Sequence, residues 1–362
     1  MSAEKPGKAK EMFRRFAVDG EADGCKLYGN GHINETFLIT ADNGKKYILQ
    51  KINGYVFRNV DGVMKNIYAV TSHIAGRLQP HQQALSLVKT RGGKIYETDE
   101  DGCAWRMYDF VSGGVCLERT ENAGDFMSAG TAFGQFQKLL SDFPAETLAE
   151  SIPRFHDTPM RYQQLREAIE KDAFGRVSGA AAEIEGYLSR EDGAGELIQQ
   201  RRDGVLPVRV THNDTKLNNV MLDKITREPL CVLDLDTVMP GLVADDFGDA
   251  IRYGASTAAE DEQDLSKVHF SLEFFEAFAK GFMSECADSL TQAEIKSLVS
   301  GARLMTLECG ARFLADYLAG DVYFKVDYPE HNLVRCRTQL KLVMEMEDNR
   351  DKMQEIVEKY RK

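Results

Sequence analysis

A chain of 362 residues with 43% apolar and 28% charged side chains has the composition of a globular protein and the length for about two domains, or one domain of two lobes, which excludes the disordered and fibrous classes. Its 45 Lys and Arg against 57 Asp and Glu leave a formal charge of -12, a balance that disfavours a nucleic-acid partner held by bulk phosphate attraction. The first residues, MSAEKPGKAKEMFRRF, are charged where a secretory signal is apolar, and no later run approaches the ~18 apolar residues of a membrane span; a cytoplasmic protein without a membrane partner is expected.

In chain order, the first hundred residues read as strands. Cys25 to Thr40 and Lys45 to Ile52 flank Asp42-Asn43-Gly44, residues that tolerate positive φ, so the pair reads as an antiparallel hairpin. A helix is expected from about Asn59 to Leu78. Leu85 to Thr90, Lys94 to Thr98 and Ala104 to Phe110 then alternate with turn signals and complete a small antiparallel sheet. The paired glycines Gly113 and Gly114 follow a strand and permit a flexible connection, so an N-terminal lobe is expected at 1–111 and a C-terminal lobe at 112–362. From Asp125 the period changes: Phe126, Ala129, Phe133, Phe136, Leu140 and Phe143 recur at the spacing of one helix face. Helices are expected over about 160–172, 180–200, 246–255, 266–286, 291–319 and 333–360, interrupted between Val208 and Leu235 by two short apolar strands flanking polar clusters. The fold class read from this pattern is α+β and bilobal, with an antiparallel-sheet N-terminal lobe and a mostly helical C-terminal lobe.

Those polar clusters are the chemical centre of the sequence. His212-Asn213-Asp214-Thr215-Lys216-Leu217-Asn218-Asn219 precedes an aliphatic run that ends in Leu233-Asp234-Leu235-Asp236, a polar density that is costly in a core unless it binds something. Phosphoryl transfer requires a carboxylate beside the attacking hydroxyl, a cation for developing charge, and oxygen ligands for magnesium. Asp214 suits the first role and Lys216 the second. Asn219 and Asp234 offer the oxygens that a hard cation prefers.

With those residues in place, the sequence resembles the protein-kinase-like superfamily, whose catalytic loop H-x-D-x-K-x-x-N is matched by His212, Asp214, Lys216 and Asn219 and whose metal-binding aspartate is matched by Asp234. More narrowly it is similar to the aminoglycoside phosphotransferase and choline kinase group, and within it to the bacterial N-acetylhexosamine 1-kinases, through YGNGHIN (28–34), YILQ (47–50), THNDTKLNN (211–219), LDLDT (233–237), DFGD (246–249), ECGARFLADYL (308–318) and YPEHNLVR (328–335). The resemblance spans about residues 12 to 350. It implies a protein-kinase-like fold, Mg2+ as cofactor, ATP as co-substrate, and transfer of the γ-phosphoryl group to the anomeric hydroxyl of N-acetylglucosamine or N-acetylgalactosamine, with Asp214 as base; a monomer is expected.

Gly29 and Gly31 sit in a turn that reads either as a plain β-turn or as a phosphate loop. The position where kinases of the superfamily carry a phosphate-gripping lysine is occupied by Gln50, while Lys51 should face the opposite side of the strand, and the helix from Asn59 to Leu78 holds no glutamate to partner such a lysine. Kinase architecture implies adenine recognition by backbone groups of Asp109-Phe110-Val111. The resemblance further implies sugar contacts by His32, Arg312 and Tyr323; the competing readings are a hairpin cap for His32, an ion pair of Arg312 with Glu308 or Asp316 at i±4, and surface packing for Tyr323. Asp236 and Asp249 read as anchors of the loop. Competing functions are choline, homoserine or aminoglycoside kinases and a nucleotide-binding scaffold without turnover. The cysteines at 25, 103, 116, 231, 286, 309 and 336 form no C-x-x-C pair and read as reduced, buried thiols.

Overall fold

A computed structural model describes residues 4–29 and 33–361. The chain opens on a helix that the strand reading of the first hundred residues omits, α1 (Glu4–Phe13). The signal was present: Ala9, Met12, Phe13 and Phe16 recur at helical spacing, and all four are fully buried against one face of a sheet, on Phe37, Ile39, Leu49, Trp105 and Met107.

That sheet contains β1 (Ala22–Leu27), β2 (Glu35–Ala41), β3 (Lys46–Lys51), β4 (Glu97–Thr98) and β5 (Ala104–Asp109), with α2 (Val60–Ala75) between β3 and β4. The strand order is β1-β2-β3-β5-β4, antiparallel throughout. The expected hairpin forms between β2 and β3, with Gly44 at φ +83° in its turn. Leu85 to Thr90 is not a full strand; it runs beside β5 through one bridge, Leu87 to Tyr108, and through amides such as Val88 to the Met107 carbonyl. The second face of the sheet carries Ile48, Ile52 and Tyr108 onto α2 (Val63, Met64, Ile67, Val70) and onto residues from further along the chain, Phe136, Val210, Leu235 and Val238. One core therefore joins the sheet to the helical region.

β6 (Gly114–Cys116) follows Gly113, whose φ is +86°. Beyond it come α3 (Ala123–Leu139), α4 (Thr158–Lys171), α5 (Ala181–Leu188), α6 (Glu196–Arg202), β7 (Arg209–Thr211), β8 (Val220–Asp223), β9 (Pro229–Val232), β10 (Met239–Gly241), α7 (Val243–Gly254), α8 (Leu272–Cys286), α9 (Gln292–Leu318), α10 (His331–Asp348) and α11 (Arg350–Lys359). The helix expected over 180–200 is two helices, because Ser189 to Gly195 carries short 3-10 geometry between them. The one expected over 333–360 breaks at Asn349. β6, β8 and β9 form a three-stranded sheet, and β7 pairs with β10.

Helix α9 is the spine of this half. A capping box at Thr291 and Glu294 starts it, satisfying two otherwise free ends of the first turn. One side packs on α7 and α11 and shares a core with α3 and α8, and the other packs on α4, α5 and α10. Where α9 crosses α7 the backbones meet directly: a Cβ on Gly301 would run into the Ala244 carbonyl, and one on Gly248 into the Gly301 carbonyl. Among the described residues all seven cysteines are free, three buried and four half-buried, and no helix is long and apolar enough to cross a membrane.

Candidate active site

The loop between β7 and β8 carries His212 to Asn219, and its shape is imposed from outside. Asn213 adopts a left-handed backbone, φ +63°, uncommon for a residue with a side chain. Its amide and that of His212 donate to the two oxygens of Asp246 on α7, at 2.7 and 2.9 Å. One turn on, Asp249 accepts from the Thr215 amide at 2.9 Å. Buried His212 stands between the rings of Phe133 and Phe136; its Nε2 meets the Leu233 carbonyl at 2.8 Å and its Nδ1 the Asp214 amide at 3.3 Å. Asp246 thus serves as a strap for the loop, with both oxygens spent; of the two anchors that the sequence suggested, Asp249 holds the loop, whereas Asp236 is bonded to Asn34 and Arg106 instead.

Held this way, Asp214 meets Lys216 Nζ at 2.9 Å and Asn219 Nδ2 at 2.9 Å, the same amide also reaching the Asp214 carbonyl at 2.8 Å. Burial pushes the Asp214 carboxyl up, but the Lys216 ammonium and the Asn219 amide outweigh it and hold the group below its usual range. A carboxylate kept ionised beside a cation can accept a hydroxyl proton and orient the nucleophile. The Asp214 carboxylate in turn holds the Lys216 ammonium above its ordinary value.

Asp234 follows at the end of β9. The Leu233 amide donates to the Asn219 carbonyl at 2.8 Å, which ties the two segments together. Asp234 is left-handed, φ +54°, and keeps an exposed side. Desolvation there, with the Asp236 and Asp214 carboxylates close by, pushes its carboxyl up. Because the Asn219 Nδ2 is committed to Asp214, the side-chain Oδ1 is the atom left for a cation. That oxygen and the Asp234 carboxylate are a hard donor set that suits Mg2+, which commonly takes one or two protein oxygens and completes its shell with phosphate and water. Among the described residues no group of three or more His, Cys, Asp or Glu could hold a metal unaided.

On the side that the sequence assigns to the nucleotide, Gly29 lies at φ +77° just past β1, and the preceding Tyr28 ring packs edge-on against Phe110, centroids 6.1 Å apart. Gly31 and His32 lie outside the described residues. The Asp109 amide donates to Ser86 and that of Phe110 to Lys46, which leaves Val111 as the first residue beyond the ladder. Gln50 is not a free hand in the cleft: its amide donates to Thr36 Oγ1 at 3.0 Å and its oxygen accepts from Arg106 Nε at 2.9 Å.

On the far wall, the competing ion pairs of Arg312 do not form. Glu308 is taken by His156 Nδ1 at 3.1 Å and Thr158 Oγ1 at 2.8 Å. Asp316 accepts the amides of Val322, Tyr323 and Phe324 and the Asn332 side chain, at 2.8 to 3.0 Å. The Arg312 guanidinium instead sits among the rings of Phe155, Tyr323 and Phe324, 5.4 to 5.7 Å from each centroid. Tyr323 is 66% exposed, so this cage has an open side. The wall connects to the loop through His156, whose Nε2 lies 3.4 Å from the Asn213 carbonyl. Burial disfavours the His156 cation, but the Glu308 carboxylate outweighs it and lifts the imidazole to about 9. Arg161 on α4 stands nearby, and burial and Arg312 push it below its ordinary value. No motif marked His156, Thr158 or Arg161.

The whole chain is similar in fold to solved small-molecule kinases at low identity. An aminopropanol kinase associated with a microcompartment aligns at 15% identity over 96% of this chain and 98% of that one, TM-score 0.62. An amicoumacin kinase in complex with AMP-PNP and Ca2+ aligns at 16% over 96% of each, TM-score 0.58. A choline kinase from Cryptosporidium parvum aligns at 14% over 91% and 90%, TM-score 0.55. Residues 24–282 match the phosphotransferase enzyme family. That segment runs from β1 through the strapped loop, Asp234 and α7 to α8, and on this match the chain belongs to the phosphotransferase enzyme family.

Proposed function

We propose that the protein is an ATP-dependent kinase that phosphorylates the anomeric hydroxyl of an N-acetylhexosamine to give the sugar 1-phosphate, working from a cleft between lobes 1–111 and 112–362. The observation that carries the phosphotransfer reading is the strapped loop, in which Asp214, Lys216 and Asn219 are in direct contact within reach of Asp234. Asp214 orients the acceptor hydroxyl and takes its proton; an anomeric hydroxyl is more acidic than an ordinary alcohol because the ring oxygen withdraws charge, which eases that task. Lys216 faces the charge that develops on the transferring group. Asn219 and Asp234 would hold Mg2+, which when bound neutralises phosphate charge and aligns the γ-phosphoryl group. Gly29, Gly31 and Gln50, with the backbone of Asp109 and Val111, line the nucleotide side in this reading.

The acceptor side favours a neutral sugar over choline or an aminoglycoside. Aromatic rings placed to surround a quaternary ammonium here surround Arg312, so a cationic acceptor would meet a fixed positive charge. A guanidinium whose N–H groups are turned to a ligand suits the hydroxyl and acetamido oxygens of an N-acetyl sugar; Arg312, Tyr323 and His32 take that role. The test is ATP consumption with magnesium over N-acetylglucosamine, N-acetylgalactosamine, choline, homoserine and kanamycin. Turnover is expected with the N-acetyl sugars. Turnover with a cationic acceptor alone would move the protein to another small-molecule kinase, and nucleotide binding without any turnover would make it a scaffold.

A further inference from the structure

A kinase cleft needs a fixed cation beside the phosphates, and the third strand does not supply one. Gln50 occupies the cleft-facing position, and alternation sends Lys51 to the other face, within electrostatic reach of Asp99. The neighbouring strand is different. Arg106 on β5 lies directly across the ladder from Gln50, so both side chains rise from the same face of the sheet. Its side chain is 1% exposed, which is rare for arginine unless it is paired.

The guanidinium is fixed on two sides. Nε donates to the Gln50 oxygen at 2.9 Å, and Nη1 donates to Asp236 Oδ1. The other Asp236 oxygen accepts from Asn34 Nδ2 at 2.6 Å, and Asn34 in turn takes the Asn53 amide at 2.9 Å. Asp236 lies two residues after Asp234, and both carboxylates act on Arg106. The charge thus sits where the β1–β2 turn, the sheet and the Asp234 turn converge.

Resting on the reading of this cleft as a nucleotide site, we propose that Arg106 is its fixed phosphate-facing cation, carried on β5 in place of a lysine on β3. The change of residue type follows from the change of strand. β5 is about 4.8 Å further across the sheet than β3, and a guanidinium is both long and forked: having given one N–H to Asp236 and one to Gln50, it has others to give to a phosphate oxygen, which a single ammonium does less well. Gln50 becomes the spacer that steers the fork. The absence of glutamate from α2 fits as well, since Asp236 is the partner that such a glutamate would otherwise be.

The test is MgATP binding by isothermal titration calorimetry, without acceptor, on the wild type, Arg106→Gln and the double variant Q50K/R106Q, which returns a cation to β3. Thermal melting of each nucleotide-free protein reports folding. Binding roughly tenfold or more weaker in Arg106→Gln, as expected for loss of a charge-assisted contact, and its partial return in Q50K/R106Q, both measured well below the melting temperature that loss of the Asp236 partner lowers, supports the proposal. A folded Arg106→Gln that binds MgATP as well as the wild type overturns it. If Arg106→Gln does not fold, the double variant decides: refolding with binding supports the proposal, whereas refolding without binding, or no refolding, assigns Arg106 to the fold and overturns it. A wild-type chain that binds no MgATP overturns the functional reading itself, a failure separate from any effect of the variants.

Discussion

The two walls of the cleft carry their arginines in opposite ways. On the sheet side Arg106 is locked between Gln50 and Asp236. On the helical side Arg312 is surrounded by three aromatic rings, and the carboxylates at i±4 are bonded to other groups. A guanidinium interlocked with a carboxylate fixes geometry before any ligand arrives. One caged by rings has its orientation fixed by packing while its donors stay available. The first suits a phosphate chain that is the same in every cycle; the second suits an acceptor whose hydroxyls must be read.

The loop between these walls should give the largest effect. Asp214→Asn keeps the hydrogen-bonding shape but loses the base, so turnover should fall by on the order of 10²–10⁴-fold with an unchanged melting temperature; near-normal turnover would remove Asp214 from the role. His156→Gln probes how the helical wall grips the loop. Because the folded His156 value of about 9 lies above the ordinary 6.5, its contribution to stability is complete below about pH 6.5 and disappears as pH rises through 9. Denaturant melts should therefore show a deficit of about 3 kcal/mol at pH 6 that narrows by pH 10; a gap independent of pH would sink the charged-pair reading. Arg312→Ala should raise the KM for the sugar by roughly ten- to a hundredfold while MgATP affinity and stability stay near wild type, since no carboxylate loses a partner. Loss of nucleotide affinity in that variant would erase the contrast between the walls. Thr291→Ala, remote from both, should cost about 1 kcal/mol through the capping box alone, read as a small shift in the denaturation midpoint with kinetics unaltered.

The parts of this site legible in the sequence are those whose residues lie close together in the chain. Asp214, Lys216 and Asn219 form one loop, and their spacing is sufficient to predict their contact. The hairpin of β2 and β3 and the long α9 were legible for the same reason, through turn residues and periodicity. What the sequence hid is what comes from afar. Asp246 reads as part of a D-F-G triplet, yet its role is set by amides more than thirty positions away. His156 and Glu308 are separated by 152 positions, and neither lies in a pattern that predicts the other. Arg106 sits in a strand that reads as ordinary sheet, and only the register opposite Gln50 shows where its charge goes. The breaks at Ser189–Gly195 and Asn349 are a milder miss, since polar runs, Ser189 to Gly193 and Glu347 to Lys352, do interrupt the apolar period there.

The bare crossing of α7 and α9 at Gly248 and Gly301 has a consequence for how such a protein can diversify. α7 brings the straps of the loop 212–219, and α9 brings Glu308 and Arg312. With no side chain to compress or swell at the crossing, the gap between Asp214 and Arg312 behaves as a fixed ruler. A new acceptor would then be accommodated by exchanging the outward residues around Arg312 and Tyr323, leaving the ruler untouched, so the chemistry could stay constant while the taste of the pocket drifts.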